Sequence, residues 1–406
     1  MSRFIINGNK RLSGEISVGG SKNAALPIIF SCILIHGIST ITNLPNISDV
    51  DVAFEILRGF GAKIERVADS ASIDTRNLYY AEPKEELVSK IRASSYLIGS
   101  CTSRFGRANI QRFGGCNFDN RPIDMHIAAA RALGAEIYGN EIIAKKLRGG
   151  DIRFEKISVG ATVNAILMAV SAEGKSRIFG FAREPHVISL VDFLNTGGAK
   201  IKITDSFIEI EGANLGDSHT EIIPDMIEAG TYIALSLITD SSLKIRGADK
   251  TQLKSFLDEL LFSGAVIEYD YDSITVSGEL CEAANIVTAP YPAFPTDLQP
   301  QTAPLLAAFC GGKITEGVWH NRFGYLKELS KFGVDYELGA GCANIKKSKI
   351  CAANASSPDL RGGVALVLCA LRASGQSIID EIDLIKRGYS DIVNKLQRIG
   401  ADIKEF

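Results

Sequence analysis

"DVDVAFEILRGFGAKI", residues 49–64, holds the punctuation of a whole structural unit. Its first part is an amphipathic helix pattern, Gly61 is placed to end that helix, and Ala62–Ile64 opens a short strand. The same phrase returns as GAEI at Gly134, GAKI at Gly198, GAVI at Gly264, GVDY at Gly333 and GADI at Gly400. Spacings of 73, 64, 66, 69 and 67 residues run along the entire chain. Internal repetition is therefore the first structural fact to use.

Working outward, each unit carries a second helix that is apolar on every side: NAALPIIFSCIL, ASSYLIGSCTS, ATVNAILMAVSA, EAGTYIALSLI, PQTAPLLAAFC and GGVALVLCALRA. A helix without a polar face must be buried. Short strands such as STITN, SLKIRG and SFIEIEG lie between the helices. Six units of this kind predict an α/β protein of two domains, each of three repeated β/α units, with buried helices enclosed by sheets. The expected domains are residues 21–227, and residues 1–20 plus 228–406. The last unit stops at GADIKEF without a closing hairpin, so FIINGNKRLSGEISVGG at the N-terminus is expected to complete it, which places both termini in the second domain.

Length and composition agree. A chain of 406 residues exceeds one ordinary core. The 46% hydrophobic and 22% charged fractions are those of a globular protein, and a net charge of −3 argues against nucleic-acid binding by bulk charge. The N-terminus lacks a signal-peptide core, and no run approaches about 18 uninterrupted apolar residues, so a cytoplasmic protein without a membrane segment is expected. Eight cysteines, with no C-x-x-C pair and no nearby histidines, read as free thiols, most of them expected to be buried space-fillers. The glycine pairs fit neither G-x-G-x-x-G after a strand nor G-x-x-x-x-G-K-[ST], and read as caps and turns.

Several stretches stand outside the repeat. Lys22 and Arg92 begin apolar helices, where the helix dipole disfavours a cation unless an anion is also present. Cys116, in QRFGGCNFDNRP, has neither helical nor strand periodicity around it. It is either a presented thiol, favoured by Arg112 and Arg121 and opposed by Asp119, or a packing residue beside a turn. Asp297, between prolines in YPAFPTDLQPQ, is either a cap for a helix beginning near Leu298 or a chemical group. EKISVGAT with Lys156 and IKRGYSD with Arg387 complete the set. The five histidines share no spacing that suggests a metal site or a triad.

GGSKNAALPI, IRASSYLIG, RFG followed by GGC and RPIDMHI, KISVGAT, AREP, PAFPTDLQPQ, NRF, DLRGG and RGY occur in one order across nearly the whole chain. In this the sequence resembles the UDP-N-acetylglucosamine enolpyruvyl transferases, members of the wider enolpyruvyl transferase family that includes EPSP synthase. The resemblance implies two inside-out α/β domains with a cleft between them, the first bearing the catalytic loop. It implies transfer of the enolpyruvyl group of phosphoenolpyruvate to the 3-hydroxyl of UDP-N-acetylglucosamine, without a metal or organic cofactor. It also implies roles: Cys116, Asp297 and Lys22 as the catalytic residues, with Cys116 as acid on a closing loop and Asp297 as base, and Lys22, Arg92, Arg121 and Arg387 toward phosphoenolpyruvate. Asn23, Arg92, Arg121, Pro122, Asp124, Lys156, Ser158, Val159, Gly160 and Asp297 would face the uridine-linked sugar.

The sequence departs from the family pattern at Asn117–Asn120, at His186 after AREP, and at His320 before NRF. These positions motivate two alternatives: a paralogue using another uridine nucleotide such as UMP, and a non-catalytic UDP-sugar-binding protein. The shikimate-pathway relative shares the fold, but RPID and the cysteine loop argue against it.

Overall fold

The computed structural model describes residues 2–110, 113–114 and 122–406. Residues 2–19 and 224–406 form one compact unit, and the described residues between 20 and 223 form another. Each unit has its own apolar core.

The glycines of the repeat explain why the same fold unit recurs. Gly61, Gly134, Gly198, Gly264, Gly333 and Gly400 all have φ between +87° and +108°. A side chain would clash with its own backbone there, so only glycine turns the outer helix into the next strand without strain. Five of the six outer helices are helices of seven to twelve residues, such as Ser48–Gly59 and Ile392–Arg398. The fifth unit differs: its helix is only Leu326–Leu329 followed by the 3₁₀ turn Ser330–Phe332.

The apolar helices are Lys22–Ser31, Leu97–Phe105 and Val159–Ala169 in one unit, and Met226–Ile238, Gln299–Phe309 and Leu360–Arg372 in the other. They are buried along nearly their whole length. The described strands form six sheets, five of four strands and one of three. The four-stranded sheets share one pattern, a parallel pair extended by two antiparallel strands. Ala284–Thr288 lies parallel to Gly312–Glu316, for example, which then pairs antiparallel with Cys342–Lys346.

The N-terminus does complete the last unit. Arg3–Asn7 pairs antiparallel with both Gln376–Asp380 and Asp402–Glu405, burying Phe4 and Ile6 on one face. Ser13–Ser17 then joins a different sheet, parallel to Ser242–Arg246. Among the described cysteines, only Cys32, Cys101 and Cys369 are buried; Cys281 and Cys351 are exposed, so the space-filling expectation holds for a minority. No described helix is long and apolar enough to cross a membrane.

Candidate active site

Cys116 and Arg121 lie outside the described residues, as do Arg112 and Asn117–Asn120. The remaining candidates fall into two groups, one in each unit.

In the unit between residues 20 and 223, Lys22 is the first residue of helix Lys22–Ser31, capped by the Ser21 side chain, and Asn23 follows it half-buried. Part of the counter-charge that such a lysine needs comes from the protein itself. Asp49, 3% exposed at the start of helix Ser48–Gly59, places Oδ2 3.8 Å from Lys22 Nζ. A buried carboxylate beside a cation at a helix N-terminus offsets the unfavourable dipole.

Arg92 opens the 3₁₀ turn Arg92–Tyr96, and burial works against its charge. Near it stands His126, in the helix Asp124–Ala132 whose first residue, Asp124, is exposed, as is Pro122. His126 itself is buried, and its Nδ1 has no hydrogen-bond partner among the described residues. The ring lies against Gly160, where an added Cβ would sit 2.9 Å from His126 Nε2. Gly160 is in the first turn of helix Val159–Ala169, capped by Ser158 Oγ, which accepts from Ala161 N at 3.3 Å. The first-turn amides of Val159 and Gly160 have no intrahelical acceptors, as at any helix N-terminus, and suit an oxyanion. Lys156 is exposed just ahead of this turn.

Burial, aided by Arg92 and opposed by Asp124, pushes the His126 imidazolium down from 6.5 to about 4. The neutral ring is therefore the folded form at pH 7. Because the folded value lies below the unfolded one, the contribution to stability is complete above pH 6.5, falls as pH drops toward 4, and then levels off. The stability gap between wild type and His126→Asn is expected to shrink by on the order of 3 kcal/mol between pH 7 and pH 4, read from urea unfolding at each pH. A constant gap would mean that the imidazole is not held neutral.

In the other unit, the segment carrying Asp297 is a 3₁₀ turn, Thr296–Leu298, leading into helix Gln299–Phe309. The N-cap of that helix is Leu298, which makes no side-chain capping bond. Asp297 is engaged elsewhere. Its Oδ1 accepts from Arg322 Nη1 at 2.8 Å, and its Oδ2 from Arg361 Nη2 at 3.4 Å. The carboxylate retains 28% of its side-chain exposure, whereas the two arginines retain 6% and 2%. The carboxylate thus reaches solvent while two buried guanidiniums fix its position.

Arg361 is the unusual member. It sits in the first turn of a helix buried throughout, where Asp359 caps Arg361 N at 2.9 Å. Burial opposes its charge, but the Tyr389 hydroxyl and the Asp297 and Asp225 carboxylates outweigh it, so the guanidinium is held above its ordinary value. Its Cζ lies 5.4 Å from the Tyr389 ring centroid. Tyr389 is in turn fixed by Thr231 at 2.8 Å and Gln301 at 3.1 Å. Arg387, two residues before Tyr389, is half-buried in a turn packed on the same helix. An added Cβ at the intervening Gly388 would lie 2.7 Å from Leu360 Cδ1.

Arg322 and Arg361 were not among the residues expected at the site. The signal for Arg361 was present, since an arginine that opens the apolar helix within DLRGGVALVLCALRA has little solvent face to occupy. For Arg322 only the NRF motif pointed there. Of the departures, His186 is half-buried in the first turn of Pro185–Thr196, and His320 is exposed.

Comparisons with known proteins bear on the family and the fold. Residues 6–396 match the family model described as EPSP synthase (3-phosphoshikimate 1-carboxyvinyltransferase). The chain is 41% identical to UDP-N-acetylglucosamine 1-carboxyvinyltransferase 3 of Caldanaerobacter subterraneus subsp. tengcongensis, over 99% of each chain. It is 40% identical to UDP-N-acetylglucosamine 1-carboxyvinyltransferase of Halothermothrix orenii, over 100% of each. In fold it is similar to the enolpyruvyl transferase NikO from Streptomyces tendae, with a TM-score of 0.87 at 23% identity, covering 100% of this chain and 98% of that one.

Proposed function

The chain belongs to the EPSP synthase family, in the branch of the UDP-N-acetylglucosamine 1-carboxyvinyltransferases, and from that premise we propose how its residues act. The enzyme transfers the enolpyruvyl group of phosphoenolpyruvate to the 3-hydroxyl of UDP-N-acetylglucosamine and releases phosphate, a step toward peptidoglycan in the cytoplasm. The observation that carries the role of Asp297 is its grip by Arg322 and Arg361, with the carboxylate still partly exposed.

The chemistry needs two proton movements. Protonating the methylene carbon of phosphoenolpyruvate makes C2 electrophilic, and Cys116 is assigned as that acid. The sugar hydroxyl attacks C2 as Asp297 removes its proton, giving a tetrahedral ketal that carries both the phosphate and the sugar. Loss of a methyl proton with cleavage of the C2–O bond to phosphate then regenerates the double bond in the product. The substrate carries a phosphate and a carboxylate, so Lys22, Arg92, Arg121 and Arg387 are assigned to it. Asn23, Pro122, Asp124, Lys156, Ser158, Val159 and Gly160, with Arg92, Arg121 and Asp297, are assigned to the uridine nucleotide and its sugar. The helix start at Val159 supplies amides for the diphosphate.

Inorganic phosphate release from phosphoenolpyruvate plus UDP-N-acetylglucosamine tests this reading. Wild type is expected to turn over, and Cys116→Ser to lose a factor of about 10²–10⁴ in rate, the range for a lost general acid. Phosphate release with UMP, and none with UDP-N-acetylglucosamine, would transfer the reading to a different acceptor.

A further inference from the structure

Strand Gly312–Glu316 ends on a carboxylate that is 1% exposed, in a register that sets Glu316 opposite Thr288. A buried carboxylate is tolerated only when its oxygens are satisfied. Here four donors converge on it. Oε1 accepts from Thr288 Oγ1 at 2.6 Å and from the amides of Val318 and Trp319 at 2.9 and 3.0 Å. Oε2 accepts from Thr296 Oγ1 at 2.9 Å. Thr288 Oγ1 also accepts from Gly317 N at 3.0 Å, so the whole turn after the strand is organised around one side chain.

The direction of these bonds matters. A carboxylate only accepts, so the single proton of the Thr296 hydroxyl is committed to Glu316 and its lone pairs face away. On that side Arg322 Nη1 donates to Thr296 Oγ1 at 3.0 Å and to Asp297 Oδ1 at 2.8 Å. One guanidinium nitrogen carries two hydrogens, and these contacts account for both. We infer that Glu316 is a positioning residue for Asp297: through the fixed polarity of Thr296 it aims Arg322, and Arg322 aims the carboxylate. The inference rests on the reading of Asp297 as the base of the transfer.

Among the described residues, charged and titratable groups face this relay from several elements. Arg322 and Arg361 face Asp297; Arg322, Glu316 and Asp359 face Tyr325; and Asp225 and Tyr389 face Arg361. Glu316→Gln keeps the volume but replaces an acceptor with an amide donor. If its oxygen stays on the three-donor side, Nε2 points at a threonine oxygen that already accepts from Arg322. The hydroxyl proton then loses its acceptor, and the guanidinium loses its fixed stop.

The test is the pH dependence of phosphate release for wild type, Glu316→Gln, Thr296→Val and Thr296→Ser. Glu316→Gln and Thr296→Val are expected to lower kcat about tenfold, keep KM for UDP-N-acetylglucosamine within roughly twofold, and move the acid limb up by about half a pH unit or more. Thr296→Ser keeps the hydroxyl and should follow wild type. A smaller folded fraction would scale the profile without moving it, and Thr296→Val carries the test should Glu316→Gln fail to fold. A second readout needs no turnover: the carboxyl carbon resonance of Asp297, identified by its loss in Asp297→Asn, should titrate higher in Glu316→Gln or Thr296→Val. An acid limb and an Asp297 titration that both stay at their wild-type positions overturn the inference. A silent wild type whose Asp297 resonance still responds to Glu316 overturns the transferase reading and leaves the positioning role standing.

Discussion

Asp297→Asn is expected to fold, to bind UDP-N-acetylglucosamine within a fewfold of wild type, and to release phosphate slower by a factor of about 10²–10⁴, the usual range for a removed general base. The asparagine is nearly the same shape and keeps one oxygen for the guanidiniums, so packing around Arg322 and Arg361 survives. It cannot take a proton from the sugar hydroxyl. Stability is expected to fall by about 1–3 kcal/mol, because the two arginines, 6% and 2% exposed, lose the charge of their shared carboxylate and one of them meets an amide donor in place of an acceptor. The measurement is phosphate release together with calorimetric binding of the nucleotide. Wild-type turnover in Asp297→Asn would return the residue to a structural role beside its arginines.

The second large effect is expected at Arg361, where two substitutions separate charge from chemistry. Arg361→Lys looks conservative and is not. The ammonium is more strongly hydrated than a guanidinium, lacks its planar fork, and must sit in a place that is 1% exposed. It would also lose the stacking over Tyr389, where the guanidinium carbon now lies 5.4 Å from the ring centroid. A stability loss of roughly 2–3 kcal/mol is expected, in line with burying a poorly paired charge. Arg361→Met removes the charge, fills much of the same space, and is expected to be the more stable of the two variants. Both should lose turnover by about 10²-fold or more, because Asp297 and the turn of Arg387 are no longer tied to one rigid helix. Thermal unfolding ranked against phosphate release checks this. If Arg361→Lys proves as stable and as active as wild type, the guanidinium has no special part in holding the site.

Much of the fold was legible because its determinants are local. A glycine that must adopt positive φ after an amphipathic helix announces itself at every repeat, and a helix without a polar face announces its burial. Even the completion of the last unit by Arg3–Asn7 followed from counting strands, since a unit lacking its hairpin must borrow one. The cysteines were less legible: a small thiol fits an exposed position as readily as a core, and Cys281 and Cys351 are exposed.

The sixfold repeat, the two groups of three buried helices and the family of the motifs can all be read along the chain. These depend on short-range periodicity, backbone sterics and ordered motifs, all of which are written within a few tens of residues. The surroundings of Asp297 follow from packing instead. Arg322 and Arg361 stand 25 and 64 residues further along the chain, and Glu316 reaches Asp297 only through Thr296 and Arg322. Such a relay exists only once separate strands, turns and helices have packed, because which hydroxyl donates and which carboxylate loses its water are settled by burial rather than by neighbours in sequence.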